Sequence, residues 1–311
     1  MKIIFMGTPE GAAFLLDKLA GSENTVVAAV TRPDKPKGRG LKVRMSPVAE
    51  KAEQKNIPVL KPANVSDSGF LNKIKALSPD IIIVAAFGRI LPKTLLDIPK
   101  YGCINVHLSL LPYYRGASPV QSALLNGDKE TGITVIQMNE RLDEGDILVQ
   151  ETIRVKENEN AGELTERLFK TGTELLLKIL PEIEAGRIKP VSQDGSKAVY
   201  CKTVKKADGL IDFNSEAAEI LNKVRAFTPW PGAYLNCKGK TVKITAVESP
   251  SEECGPAVPG TVLKILKGRG LLVAAHNGCI LIKEVQPENS KKMSADAFVN
   301  GYRIKTGENI S

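Results

Sequence analysis

The chain has 311 residues, 42% of them hydrophobic, and its 43 Lys and Arg against 35 Asp and Glu give a net charge of +8. The length allows two domains, and the apolar content excludes global disorder. Five scattered cysteines without a C-x-x-C pair argue against a disulfide framework or a zinc knuckle, and the short apolar runs exclude a membrane span and a signal peptide, so we expect a soluble, cytoplasmic protein.

The positive charge is concentrated in two segments. Residues 31–45 and residues 187–206 each carry six Lys or Arg against one Asp, whereas the rest of the N-terminal half is slightly acidic. Such clusters are typical of proteins that bind a phosphate backbone. The alternative is a pair of solvated surface loops. Because residues 31–45 contain two Pro and two Gly, we predict neither helix nor strand there.

The N-terminal half has the strand and helix pattern of a Rossmann-like α/β domain. An apolar strand at residues 2–7 precedes a helix that runs to residue 20, and a second strand covers residues 25–30. Neither G-x-G-x-x-G nor G-x-x-x-x-G-K-[ST] occurs, so a nucleotide site is not predicted. Residues 80–86 are almost uniformly apolar, which is typical of a central parallel strand. Ligands bind beyond the carboxyl ends of such strands.

Residues 101–116, with the sequence YGCINVHLSLLPYYRG, contain the candidate chemistry. Asn105 and His107 lie two apart on a predicted strand and should share a face. An amide beside an imidazole can hold a carbonyl oxygen and move a proton. The alternative is an ordinary hydrogen-bonded core histidine, one of only two histidines in the chain.

Two antiparallel strands are predicted at residues 132–138 and 147–155, and the turn between them carries Asp143, Glu144 and Asp146. A solvated hairpin turn is the common outcome for such a cluster. Alternatively, one carboxylate faces the candidate histidine and favours its charged form.

The remainder of the chain predicts a long helix, a linker and a small β domain. An amphipathic helix is expected at residues 161–185, followed by the second basic segment, which has the composition of an interdomain linker. Short β-rich runs separated by Gly and Pro then begin near residue 241. Several short strands with regular turns favour a small barrel or sandwich.

Several motifs together resemble the folate-dependent formyltransferases. They are Asn105-x-His107-x-Ser109-Leu110-Leu111-Pro112, then Tyr114-Arg115-Gly116, and Leu142-Asp143-x-Gly145-Asp146. Four further stretches, at residues 7–10, 32–40, 116–121 and 228–234, resemble the branch of this family that formylates initiator tRNA. The resemblance covers nearly the whole chain. It implies a Rossmann-like catalytic formyltransferase domain at residues 1–187, a basic linker at 188–206 and a C-terminal OB-like β-barrel domain that binds tRNA at 207–311.

The resemblance also implies roles for individual residues. Asn105, His107 and Asp143 would be catalytic in formyl transfer from 10-formyltetrahydrofolate, without a metal, to the α-amine of methionine on initiator tRNA. Asn105 and a charged His107 would stabilise the tetrahedral oxyanion, while Asp143 would keep His107 protonated and help to deprotonate the amine. The folate donor would be held by Phe87, Gly88, Ile90, Leu91, Ser109, Leu110, Leu111 and Pro112, through backbone groups. The tRNA would contact Arg39, Lys42 and Arg44. We expect a monomer.

One position departs from the family. Phe usually follows the G-T-P-E motif, but this chain has Gly11 there, and the nearest Phe is Phe14. This puts the packing of the first helix in question. The neighbouring acid Glu144 is expected to be a solvated bystander, and Asp146 receives no role.

Two other classes of protein share part of this pattern. A sugar-nucleotide formyltransferase would share the three catalytic residues, but Gln121 and the basic segment at residues 31–45 favour tRNA. A non-catalytic nucleic-acid-binding protein would not need all three residues, and they are all present.

Overall fold

A computed structural model describes residues 1–37, 42–252 and 254–311 of the chain. These residues form two compact units. The first comprises residues 1–119, 130–154 and 165–202, and the second comprises residues 120–129, 155–164 and 203–311. Among the described residues, no helix combines the length and apolar character that a membrane span requires.

The helices and strands are numbered in chain order. The α-helices are α1 (Glu10–Ala20), α2 (Pro47–Gln54), α3 (Ser68–Leu77), α4 (Lys93–Leu96), α5 (Pro119–Leu125), α6 (Ala161–Glu184), α7 (Ala217–Ala226) and α8 (Ala295–Tyr302). The strands are β1 (Lys2–Gly7), β2 (Thr25–Val30), β3 (Lys35–Lys37), β4 (Lys42–Arg44), β5 (Val59–Leu60), β6 (Ile81–Ala85), β7 (Cys103–His107), β8 (Arg115–Gly116), β9 (Glu130–Gln137), β10 (Ile147–Arg154), β11 (Tyr200–Cys201), β12 (Ala233–Cys237), β13 (Lys240–Glu248), β14 (Val262–Leu266), β15 (Gly270–Ala275), β16 (Gly278–Pro287) and β17 (Met293–Ser294).

The first unit is built on a seven-stranded sheet in the order β10-β9-β7-β6-β1-β2-β5. β7, β6, β1, β2 and β5 run parallel, whereas β9 is antiparallel to β7 and β10 is antiparallel to β9. Every residue of β6 is buried, as expected for a central strand covered on both faces. The strand order reverses beside β1, so the crevice beyond its carboxyl end is a topological switch point. The predicted Rossmann-like α/β fold is confirmed.

Local sequence explains where the surrounding helices begin. Ser46 precedes Pro47 and accepts a hydrogen bond from the Ala49 amide at 3.1 Å, which caps α2. Asp67 caps α3 in the same way by accepting from the Phe70 amide at 3.0 Å. These helices cover the sheet. The carboxyl end of β7, which carries Asn105 and His107, lies at the edge of the sheet where ligands bind in such folds.

The first basic segment differs from its prediction. β3 and β4 pair antiparallel, with Pro36 opposite Val43, although no regular structure was predicted for residues 31–45. A two-stranded ladder has only edges, so a proline removes at most one of its hydrogen bonds. The prediction of an irregular segment was therefore wrong for these six residues.

The second unit contains an antiparallel sheet in the order β12-β13-β16-β15-β14, with β17 paired to β16. Its core is formed by apolar residues of these strands, of α7 and α8, and of the segment before α7, among them Phe213, Ile220, Val273 and Phe298. The predicted small β domain is confirmed. The sequence did not indicate β12, because the two prolines before it suggested a broken segment, and it did not indicate α8.

The cysteines give one correction. Cys254 and Cys279 form a disulfide in the second unit, with their Cα atoms 5.8 Å apart, whereas no disulfide was expected. The two residues are separated by 25 positions and carry no motif. Only the folding of the β domain brings them together, so sequence spacing could not indicate the pair.

Candidate active site

Three side chains converge at the carboxyl end of β7. The Asn105 amide donates from Nδ2 to Oδ1 of Asp143 at 3.4 Å, and His107 Nδ1 lies 3.7 Å from Oδ2 of the same carboxylate. The carboxylate also accepts a 2.9 Å hydrogen bond from the backbone N–H of Gly116. Asn105 and His107 are thus on one side of the strand, as their spacing predicts, and they meet a single carboxylate from the turn after β9.

His107 is held between two segments. Its Nε2 lies 3.0 Å from the carbonyl oxygen of Tyr114, and since a carbonyl only accepts, Nε2 carries the proton. On the other side of the ring, Nδ1 faces Asp143. The side chain is 6% exposed. We call residues 114–116, which include the short strand β8, the front loop, and residues 143–145 the acidic turn.

The acidic turn is shaped by its sequence. Asp143 has φ +54°, a left-handed conformation that Asp tolerates better than most residues. Gly145 is buried, and a Cβ there would overlap the backbone carbonyl of Gln137. The turn therefore approaches β9 closely, and this approach orients the Asp143 carboxylate towards β7.

The expectation that Glu144 is solvated was wrong, since its side chain is 26% exposed. Its carboxylate lies 3.1 Å from the guanidinium of Arg115, which is 4% exposed, and it accepts a 2.7 Å hydrogen bond from the Tyr200 hydroxyl. The Tyr200 hydrogen bond, with the charges of Arg115 and Arg141, holds the pKa of Glu144 below its ordinary value. Asp146 accepts a 2.9 Å hydrogen bond from the Ser192 hydroxyl.

Residues 191–201, which the sequence analysis assigned to a linker, lie against this site. β11 pairs with β8, and the Arg115 amide donates to the carbonyl of Val199 at 2.8 Å. The Gln193 side chain bonds both the front loop and the acidic turn. Sequence reasoning missed this participation, because these contacts join residues 48 or more positions apart and have no periodic signal.

The segment that the resemblance assigned to the folate donor leaves the carboxyl end of β6. Phe87 and Leu91 are each 1% exposed and belong to the core, whereas Ile90 is 64% exposed. The guanidinium of Arg32 donates to the carbonyls of Phe87 at 3.0 Å and Gly88 at 2.8 Å. Arg32, which lies just after β2, holds this segment in place. Sequence reasoning missed this contact, as it missed those of Gln193.

The run at residues 109–112 is braced by the protein itself. Thr134 donates to the Ser109 carbonyl at 2.7 Å and accepts from the Leu111 amide at 3.0 Å. Gln150 donates to the Leu111 carbonyl at 2.6 Å, and the Pro112 carbonyl accepts from the amide of residue 199. Because these backbone groups have partners, they fix the shape of the wall. Leu110 in this run is partly exposed.

The departure at Gly11 has a physical reason. A Cβ on Gly11 would overlap the ring of Phe169, which belongs to α6 and is 3% exposed. The volume beside the start of α1 is therefore filled by an aromatic ring from α6. Phe14, the other candidate, is partly exposed and lies under the ammonium of Lys18.

Of the residues assigned to tRNA, Arg39 lies outside the described residues. Lys42 is in β4, and Arg44 ends that strand with an exposed side chain.

At the start of β7, burial raises the pKa of the Cys103 thiol to about 12. The thiol is 1% exposed and packs in the core of the first unit.

Comparison with known proteins defines the class first. The family model described as "Formyl transferase" matches residues 1–180, and "Formyl transferase, C-terminal domain" matches residues 203–303. The chain belongs to the formyl transferase family. Within that family, it is 45% identical over 311 residues to the methionyl-tRNA formyltransferase of Geobacter sulfurreducens, covering 100% of this chain and 96% of the relative. It is 41% identical over 310 residues to that of Sulfurihydrogenibium sp., covering 99% of both.

Solved structures agree with the fold. HypX from Aquifex aeolicus, crystallised with tetrahydrofolic acid, gives a TM-score of 0.68 at 18% identity over 99% of this chain. This chain spans only 48% of that protein. The sugar 3N-formyltransferase WlaRD, solved with dTDP and 5-N-formyl-THF, gives a TM-score of 0.67 at 18% identity, covering 94% of this chain and 99% of WlaRD.

Proposed function

We propose that the protein transfers the formyl group of 10-formyltetrahydrofolate to the α-amine of methionine on initiator tRNA, giving N-formylmethionyl-tRNA in the cytoplasm. The observation that carries this proposal is the convergence of Asn105, His107 and Asp143 at the carboxyl end of β7. The methionyl-tRNA formyltransferases that resemble it over their whole length support the acceptor.

The three side chains divide the chemistry. The amine attacks the formyl carbon, and the carbonyl oxygen becomes an oxyanion. The Asn105 amide has two N–H groups, one of which faces Asp143, and the other is proposed to donate to that oxyanion together with a charged His107. Asp143 accepts the amine proton through water. The oxyanion then re-forms the carbonyl as the bond from the formyl carbon to N10 of the folate breaks, and N10 takes up the proton that Asp143 had accepted, which returns Asp143 to its carboxylate form.

The donor is proposed to lie between the segment at residues 87–91 and the run at residues 109–112, which follow the carboxyl ends of β6 and β7. Arg32 holds the first wall, and Thr134 holds the second. Because hydrogen bonds within the protein hold both walls, the entropic cost of ordering them on binding would be small. Ile90 is the exposed apolar residue of the first wall and is proposed to contact the pterin.

The tRNA is proposed to contact Arg39, Lys42 and Arg44, with the basic linker and the β domain contributing further contacts. Contacts with phosphates give affinity and orientation more than sequence recognition. A monomer suffices for this reaction, since every proposed catalytic group comes from one chain.

His107→Ala tests the proposal. We expect the variant to fold normally and to transfer formyl roughly 100- to 1,000-fold more slowly in single turnover, as when one oxyanion donor is removed. Circular dichroism and folate binding serve as controls for structure. A well-folded variant that transfers formyl at nearly the normal rate would show that His107 is an ordinary core residue.

A further inference from the structure

The side chain of Gln193 joins the two segments that hold His107. Its Nε2 donates to the carbonyls of Asp143 and Gly145, both at 2.8 Å, in the acidic turn. Its Oε1 accepts from the guanidinium of Arg115 in the front loop, from Nε at 3.0 Å and from Nη2 at 2.8 Å. One amide thus makes four hydrogen bonds across the site.

The orientation of this amide is fixed by its partners. A guanidinium only donates and a carbonyl only accepts, so the oxygen must face Arg115 and the nitrogen must face the acidic turn. Both donors and two acceptor positions of the amide are used. No other side chain with the same shape can satisfy both sets of partners, since Glu lacks the donors and Met lacks both functions.

The two segments joined by Gln193 determine the environment of the imidazole. The front loop supplies the Tyr114 carbonyl to Nε2, and its Gly116 amide holds Oδ2 of Asp143. The acidic turn supplies Asp143 itself. The separation of the two segments therefore sets the 3.7 Å distance between His107 Nδ1 and Asp143 Oδ2. A shift of either segment changes that distance.

We propose that Gln193 is a positioning residue for formyl transfer, which holds the front loop and the acidic turn at the separation that keeps Asp143 opposite His107. The inference rests on the proposed roles of His107 and Asp143. Gln193 does not touch the reacting atoms. It acts through Arg115 and the acidic turn, and it makes a segment with linker composition part of the catalytic unit.

Three variants test this role. Gln193→Met removes all four hydrogen bonds and keeps the length and the charge of the side chain. Gln193→Glu keeps an acceptor for Arg115 but replaces the donors, which places an oxygen against two carbonyls. Ser192→Ala is the matched control, because Ser192 immediately precedes Gln193 and donates a hydrogen bond to Asp146 of the same hairpin.

Two measurements distinguish a residue that positions Asp143 opposite His107 from one that only stabilises the fold. Steady-state kinetics on methionyl initiator tRNA give turnover and KM separately. Selective ¹³C labelling of histidine reports the imidazoles directly, and only His107 and His276 contribute resonances. His276 lies exposed in the second unit and is an internal reference. The NMR readout requires no catalysis, so it still tests Gln193 if the wild-type protein shows no transfer, a result that would refute the proposed function alone.

We expect Gln193→Met and Gln193→Glu to lower turnover about 10- to 100-fold, since a misplacement on the order of 1 Å can cost about 100-fold. KM for the folate should change little, the His107 resonances should shift, and those of His276 should not. Ser192→Ala should match the wild type. The proposal is overturned if both Gln193 variants keep the His107 resonances of the wild type. It is also overturned if both variants lose their folded structure, so that the resonances of His107 and His276 change alike.

Discussion

Asp143 joins the three side chains of the candidate site. One carboxylate oxygen accepts from Asn105, and the other accepts from the Gly116 amide and faces His107. The two-residue spacing on β7 predicted that Asn105 and His107 share a side, because strand periodicity is a local property. The Tyr114 carbonyl opposite Nε2 could not be predicted, because it depends on how the front loop folds back.

Asp143→Asn should separate this carboxylate from its neighbours. The substitution removes the charge opposite His107, so turnover should fall sharply and the pH–rate profile should change. An Asn amide has one acceptor oxygen and cannot accept from both Asn105 and Gly116, so the thermal midpoint should also fall, by less than the loss of a folded site would cause. If Asp143→Asn transfers formyl normally and Glu144→Gln abolishes transfer, the catalytic carboxylate has been placed one residue off.

Glu144→Gln should act mainly on stability, because Glu144 is the charge partner of the buried Arg115. The pKa of Glu144 is lowered in the folded protein, chiefly by the Tyr200 hydrogen bond, so its contribution is present above the ordinary carboxyl pKa and is lost as the pH falls through the folded-state value. The variant should therefore melt at a lower temperature than the wild type at neutral pH, and the difference should shrink in acid. An unchanged midpoint at neutral pH would contradict this account.

At the scale of secondary-structure elements, the sheet of the first unit was predicted from local sequence patterns. The apolar run at residues 80–86 predicted β6, and the structure has this strand at Ile81–Ala85. The capping residues of α2 and α3 are likewise local features of the sequence. The pairing of β3 with β4, the packing of residues 191–201 on the site and the disulfide could not be predicted. Each depends on contacts between distant residues, where helix and strand periodicity give no signal.

The contact between α1 and α6 gives a prediction at this scale. Phe169→Ala should destabilise the protein by about 3–5 kcal/mol, as is usual for removing a buried ring. Gly11→Phe alone should also destabilise it, because the new ring has no space. In the double variant Gly11→Phe/Phe169→Ala the new ring can occupy the vacated volume, so the loss in thermal midpoint should be smaller than the sum of the single losses. Additive losses would show that Phe169 does not account for the glycine.

At the scale of the whole molecule, the distribution of positive charge predicts where the tRNA acceptor binds. Replacing Arg39, Lys42 and Arg44 with Ala should weaken tRNA binding and reduce the slope of log affinity against log salt by about one unit per lost phosphate contact. Folate binding should not change. The matched control replaces Lys73, Lys75 and Lys178, three exposed lysines of the first unit, with Ala, so that the net charge is the same. Equal slopes for both triple variants would remove the basic segment from the interface.

The identity of the acceptor is the central claim, because the fold and the three site residues would also suit transfer to an amino sugar. The most direct measurement incubates the purified protein with 10-formyltetrahydrofolate, methionyl initiator tRNA and a dTDP-linked amino sugar in one reaction, and quantifies both formylated products. The account predicts N-formylmethionyl-tRNA as the product, with no change in its rate when the sugar nucleotide is present and with loss of transfer in His107→Ala. Formylation of the amino sugar in preference to the tRNA would contradict it.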